Sequence, residues 1–97
     1  MSYTLKTTRN FRKDVERCIK RGLSIEKLRT VMELLTRDGQ LPKQYRPHIL
    51  RGNRRGQWEC HIEPNWLLVW EQDEDELILL MINTGTHSDL FGKKGRK

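Results

Sequence analysis

The chain has three histidines, His48, His61 and His87, and none of them falls in a helical pattern. With a reference pKa of about 6.5, one imidazole can accept a proton at neutral pH while another gives one up. That is the proton inventory for cleaving RNA through its own 2′-hydroxyl, provided cations meet the charge that builds on phosphorus. Cations are at hand in the turn Arg51-Gly52-Asn53-Arg54-Arg55-Gly56, whose backbone amides and guanidinium groups suit phosphate oxygens. Glu63 follows His61 at i+2 and is the carboxylate closest in sequence to Asn65, which sits in the turn beyond it. A single histidine is more often a surface residue than a catalyst, so the reading rests on the set of three.

A metal site draws on the same side chains. By strand alternation His61 and Glu63 share a face and His87 can join them, whereas Cys60 points the opposite way and cannot complete a Cys/His set. Neither HExxH nor paired CxxC occurs, and there is no P-loop, GxGxxG or GxSxG. The expectation is a site without metal or cofactor, and neither nucleotide hydrolysis nor serine-hydrolase chemistry has support.

The elements that must hold these groups are legible in the hydrophobic pattern. In Trp58-Glu-Cys-His-Ile-Glu63 the apolar Trp58, Cys60 and Ile62 alternate with Glu59, His61 and Glu63, as in a half-buried strand. Pro64-Asn65 makes a turn, and Trp66 to Trp70 is apolar at every position, as in a central strand covered on both faces. Upstream, Tyr3 to Thr7 alternates as a short strand. After Thr8 as N-cap, Phe11, Val15, Cys18 and Ile19 form one helical stripe that ends at Gly22. Ser24 caps a second helix with a seam of Ile25, Leu28, Met32 and Leu35, widened by Val31 and Leu34 and closed by Gly39. Two helices so closely linked lie antiparallel. Residues 40–47 hold two prolines and no periodicity and form a loop; His48 to Leu50 and Leu77 to Ile82 read as strands. The predicted fold is α+β in the order β-α-α-β-β-β-β, a mostly antiparallel sheet with both helices on one face.

Ninety-seven residues make one domain, here 1–92, followed by a basic tail, 93–97. The longest apolar run is far shorter than the ~20 residues that span a bilayer, and the N-terminus lacks a signal-type apolar core. A cytoplasmic chain is expected, with Cys18 and Cys60 as buried small hydrophobes rather than a disulfide. The formal charge of +6 hides an asymmetry, because Glu71, Asp73, Glu74, Asp75 and Glu76 gather in one segment and leave the rest strongly basic. Such a surface suits a polyanion, although a solvated basic face serves solubility equally well.

Three strings in combination, His48-Ile-Leu-Arg-Gly-Asn53, Glu59-Cys-His-Ile-Glu-Pro-Asn-Trp-Leu-Leu-Val-Trp70 and Thr84-Gly-Thr-His-Ser-Asp-Leu-Phe-Gly92, resemble the YafQ branch of the RelE/ParE toxin superfamily. The resemblance spans nearly the whole chain. It implies a microbial-RNase-like RelE fold and the toxin of a type II toxin–antitoxin pair. Such a toxin enters the ribosomal A site, against 16S rRNA, cuts mRNA without a metal, and is silenced by a cognate antitoxin. It implies proton-transfer roles for His48, His61 and His87 and a base-stacking role for Phe91. Arg51, Arg54, Arg55, Lys93 and Lys94 are expected along the RNA.

The chain departs from that pattern at four positions. Asn65 stands where the family commonly has aspartate, Asn83 where it often has arginine, Trp58 for another arginine, and Arg54 for a tryptophan. The expected substitutes are Glu63 for the carboxylate and Arg51, Arg54 or Arg55 for the guanidinium. Two other classes compete: a non-catalytic toxin of the same superfamily that binds a protein such as gyrase, and a plain basic RNA-binding module. The histidine set argues against the first, since a binder of that kind has no use for proton donors and acceptors.

Overall fold

The computed structural model describes residues 2–92. Thr4–Thr7 forms β1, Arg9–Lys20 α1, Ile25–Asp38 α2, His48–Ile49 β2, Trp58–Glu63 β3, Trp66–Asp73 β4 and Ile78–Gly85 β5, and Ser88–Gly92 adds a single π-helical turn. In space the strands run β1-β5-β4-β3-β2, antiparallel except that β1 lies parallel to β5. The expected element order and sheet type are therefore both present. Among the described residues no helix is long and apolar enough to cross a membrane.

Thr8 does two jobs at the start of α1. Its Oγ1 accepts from the Phe11 N–H at 3.0 Å, and its hydroxyl donates to the Ile82 carbonyl at 3.0 Å, so the cap also ties the helix to the edge of β5. Phe11, Asp14 and Cys18 turn inward, whereas Ile19 is 53% exposed. The stripe predicted from sequence is thus rotated: β1 stops at Thr7, opposite Met81, and Asp14 meets the Thr84 N–H beyond that point. In α2 the inward face is Leu28, Val31 and Leu35. Ser24 stands at its N-cap without a side-chain capping bond, and Gly39 ends it in the left-handed region at φ 67°. A Cβ at Gly39 would lie 2.5 Å from the Tyr3 ring, so both conformation and space require glycine there.

Both helices cover the same face of the sheet. Phe11, Cys18, Leu28, Val31 and Leu35 pack on Cys60, Leu68, Trp70, Leu79 and Met81 in one core. Both cysteines are free and buried, and burial pushes the Cys60 thiol up to about 12, which suits an inert core residue. The opposite face carries a smaller cluster of Leu67, Val69 and Leu90, with Leu50, Ile82 and Phe91 against it. β4 is apolar on both sides because helices cover one and the C-terminal turn covers the other.

The last strand starts and ends later than its apolar run. Leu77 has φ 55° and belongs to the preceding turn, while β5 continues through Asn83 and Thr84 to Gly85. Thr84 is wholly buried there because its hydroxyl is satisfied twice: Oγ1 accepts from Trp66 Nε1 at 2.9 Å and donates to the Leu67 carbonyl at 2.8 Å.

Candidate active site

The register of the sheet lines up His48, Glu59, Val69 and Asn83 across four strands, with His61, Leu67 and Gly85 in a neighbouring row. Cross-strand partners share a face. Val69 and Leu67 belong to the cluster opposite the helices, so His48, Glu59 and His61 stand on that face too. His48 Nε2 lies 3.0 Å from Glu59 Oε1, its Nδ1 lies 2.9 Å from the Arg46 carbonyl, and the His48 and His61 ring centroids are 6.5 Å apart. A carbonyl and a carboxylate offer no proton, so both His48 contacts become hydrogen bonds only when the His48–Glu59 pair holds a proton beyond that of the neutral ring. Glu59 is 6% exposed, and its Oε2 is buried without a hydrogen-bond partner among the described residues. At His61, Nδ1 faces the Pro64 carbonyl at 3.4 Å, which leaves Nε2 as the nitrogen turned to other partners.

Glu63 does not stand beside His61. The register shifts between these two residues and Glu63 pairs with Trp66, whose side chain lies in the helix-side core. There Glu63 Oε2 accepts from Lys27 Nζ at 2.7 Å. The bulge reverses the face that strict alternation assigns, and it also undoes the His61–Glu63 pairing on which a metal set would be built. Among the described residues no three His, Cys, Asp or Glu side chains gather to hold a metal ion. The carboxylate next to the histidines is Glu59. Alternation already placed it on the face of His61, but its pairing with His48 depends on β2, too short to register from sequence. Asn65 is exposed at the hairpin turn.

The C-terminal turn brings a second group of residues onto this face. Leu90 is buried and closes the small cluster, while Phe91 remains half-buried. The exposed His87 ring centres 5.0 Å from that of Phe91, and the Arg54 guanidinium carbon lies 5.2 Å from the Phe91 centroid. Arg54 donates from Nη1 to Gln57 Oε1 at 3.2 Å and from Nη2 to Asn83 Oδ1 at 3.1 Å. Two of the four positions singled out in the sequence, 54 and 83, are therefore in contact. Arg51 and Arg55 are exposed. Lys93 and Lys94 lie outside the described residues.

Helix α1 holds this arrangement from the side. Asp14 Oδ2 accepts from the Thr84 N–H and from Asn83 Nδ2, each at 3.1 Å, and its Oδ1 accepts from Arg17 at 2.7 Å. Asp89 Oδ2 accepts from the Thr86 N–H at 2.9 Å, and the Asp89 N–H donates to Thr86 Oγ1 at 3.1 Å. Arg21 grips the Asp89 carboxylate with two N–H groups at 2.7 and 3.2 Å and holds it well below the usual carboxylate range. Asp14 carried no sequence signal, since an aspartate in a helix normally reads as solvated.

Residues 3–92 match the family described as the bacterial toxin of type II toxin–antitoxin system, YafQ. The mRNA interferase toxin YafQ of Escherichia coli K12 is 36% identical over 83 residues, covering 84% of this chain and 88% of that protein. The fold matches the E. coli DinJ–YafQ toxin–antitoxin complex at TM-score 0.85 and 32% identity, covering 95% of this chain and all of that one. It matches a metal-bound toxin from Helicobacter pylori at TM-score 0.84 and 33% identity, covering 94% and 100%.

Proposed function

This chain belongs to the YafQ family of bacterial type II toxin–antitoxin toxins, and on that premise we propose that it is an mRNA interferase cutting ribosome-bound message in the cytoplasm. The reaction is attack of a 2′-oxygen on the adjacent phosphorus. The O2′–P bond forms, the P–O5′ bond breaks, one proton leaves the 2′-hydroxyl and one reaches the 5′-oxygen. The groups that move these protons are His61, His87 and the His48–Glu59 pair, held in contact at 3.0 Å. Phe91 stacks on a base near the cut. A cognate antitoxin holds the toxin in check, as DinJ is found in complex with YafQ.

The observation that carries the reading is the 3.0 Å contact of His48 with Glu59, whose second oxygen is buried and has no partner among the described residues, on the face that His61 shares. A binding module gains nothing from desolvating a carboxylate in this way, whereas a site that transfers protons does. The test is cleavage of mRNA on purified ribosomes with magnesium retained and transition metals chelated. Cuts ending in 2′,3′-cyclic phosphate are expected from the parent and not from His61→Ala. Ribosome binding without cuts would overturn the proposal.

A further inference from the structure

We propose that Arg54 is the catalytic guanidinium of this site, binding the phosphate under attack, and that Asn83 is its positioning residue. The inference rests on the reading that the chain cleaves RNA.

Arg54 differs from the ion-paired cations of the fold in what it touches, and from Arg12, which also bonds only neutral groups, on Thr7, in being half-buried rather than exposed. Arg17 is paired with Asp14, Arg21 with Asp89, Lys27 with Glu63, Arg29 with Glu26 and Arg37 with Asp38. Arg54 is half-buried and is held by two neutral carboxamides and an aromatic face, with no ion pair to a carboxylate among the described residues. A guanidinium has five N–H donors, so two such contacts leave donors and the full charge unspent. A partly desolvated cation held in place by groups that do not neutralise it is a seat for an anion.

Asn83 is suited to that holding task. Asp14 only accepts and Arg54 only donates, so the carboxamide between them must turn Nδ2 toward Asp14 and Oδ1 toward Arg54. The orientation is set at both ends by chemistry. An aspartate at 83 would repel Asp14 and cancel the charge on Arg54, whereas asparagine fixes the guanidinium and leaves it cationic. Phe91 offers its ring beside the same guanidinium, and His87 lies against that ring. Charge for a phosphate, a face for a base and an imidazole for a proton meet in one cluster, which is the chemistry of a nucleotide in a single strand.

Two readouts test this. In single-turnover cleavage, Arg54→Ala should be slower by about 10²-fold, the scale of one lost donor to a developing oxyanion, and millimolar guanidinium should restore part of the rate. Arg54→Lys should recover binding more than rate, because lysine brings charge without the planar fork. Asn83→Asp should be as slow as Arg54→Ala. A parental rate in Arg54→Ala or Asn83→Asp, or no rescue by guanidinium, overturns the assignment. The second readout is the affinity of the isolated protein for an oligonucleotide that carries 2′-deoxy at every position and cannot be cut. It should fall further in Arg54→Ala and Asn83→Asp than in a variant lacking the exposed Arg55. Equal losses would make Arg54 one surface charge among several. If the parent cuts nothing, the interferase reading fails, and the oligonucleotide arm still decides whether Arg54 seats a phosphate.

Discussion

The two faces of the sheet are built from the same strands and do opposite things. Toward the helices β4 turns Trp66, Leu68 and Trp70 into a core that two helices seal. Toward the other side it turns Leu67 and Val69, covered only by one turn and a few half-buried side chains. The sealed face stabilises the fold. The thinly covered face tolerates a buried carboxylate with an oxygen that has no hydrogen-bond partner, and a cation with no counter-charge, among the described residues, each of which costs stability. That asymmetry lets a small domain carry a reactive surface: β4 is a wall shared by both sides, so the reactive groups stand on a rigid backing without entering the core.

Substitutions on the two faces should separate stability from chemistry. The largest effect is expected from Leu68→Ala, wholly buried under the helices, which should lose about 2–5 kcal/mol of folding free energy. Its cleavage rate per folded molecule should stay near parental; calorimetry together with single-turnover kinetics checks both. Next come Glu59→Gln and His87→Ala, each expected to slow cleavage by about 10²-fold or more, roughly 2.7 kcal/mol in the barrier. Their melting temperatures should not fall, and Glu59→Gln should remove the penalty of a buried charge. A Glu59→Gln variant that unfolds would show that the reactive face also bears the fold, and the contrast would break.

How much of this was legible follows the same division. The helix seam, the strand alternation and the unbroken apolar run Trp66–Trp70 all report burial, and burial has a period that a sequence displays. The histidines were visible as types. What was not visible came from single irregularities. One bulge after His61 moved Glu63 to the helix face and left Glu59 as the carboxylate beside His48. The early end of β1 made room for Asp14 to bond the Thr84 N–H, which turned a helical aspartate inward and left Ile19 outside. Neither has a periodic signature, because each depends on which neighbour a strand lacks at one position. The meeting of Arg54 with Asn83 is of the same kind, 29 residues apart and joined only by register.

The smallest expected effect concerns the latch between α1 and the C-terminal turn. Arg21 holds Asp89, and Asp89 in turn closes on Thr86, so the pair fixes the segment that carries His87 and Phe91. Both side chains are partly open to water, and exposed pairs of this kind are screened. Arg21→Gln should therefore lower the melting temperature at neutral pH by a few degrees at most, and slow cleavage only several-fold by loosening His87. The sign of the pH dependence is fixed by the depressed carboxyl of Asp89. Stability from a lowered carboxyl is fully present above the unfolded-state value, about 3.9, and fades as pH falls toward the folded one. The melting-temperature gap between parent and Arg21→Gln should then be constant from about pH 5 upward and shrink below about pH 4. A gap that stays open in acid would place the contribution of Arg21 in packing of its stem rather than in its charge. With Asp89→Asn as a second variant, a double-mutant cycle at neutral pH and at pH 3 isolates the pair itself. If cleavage by Arg21→Gln matches the parent while the gap behaves as expected, the latch serves the fold alone, and the reactive face is set by β5, Arg54 and Asp14 without help from Arg21.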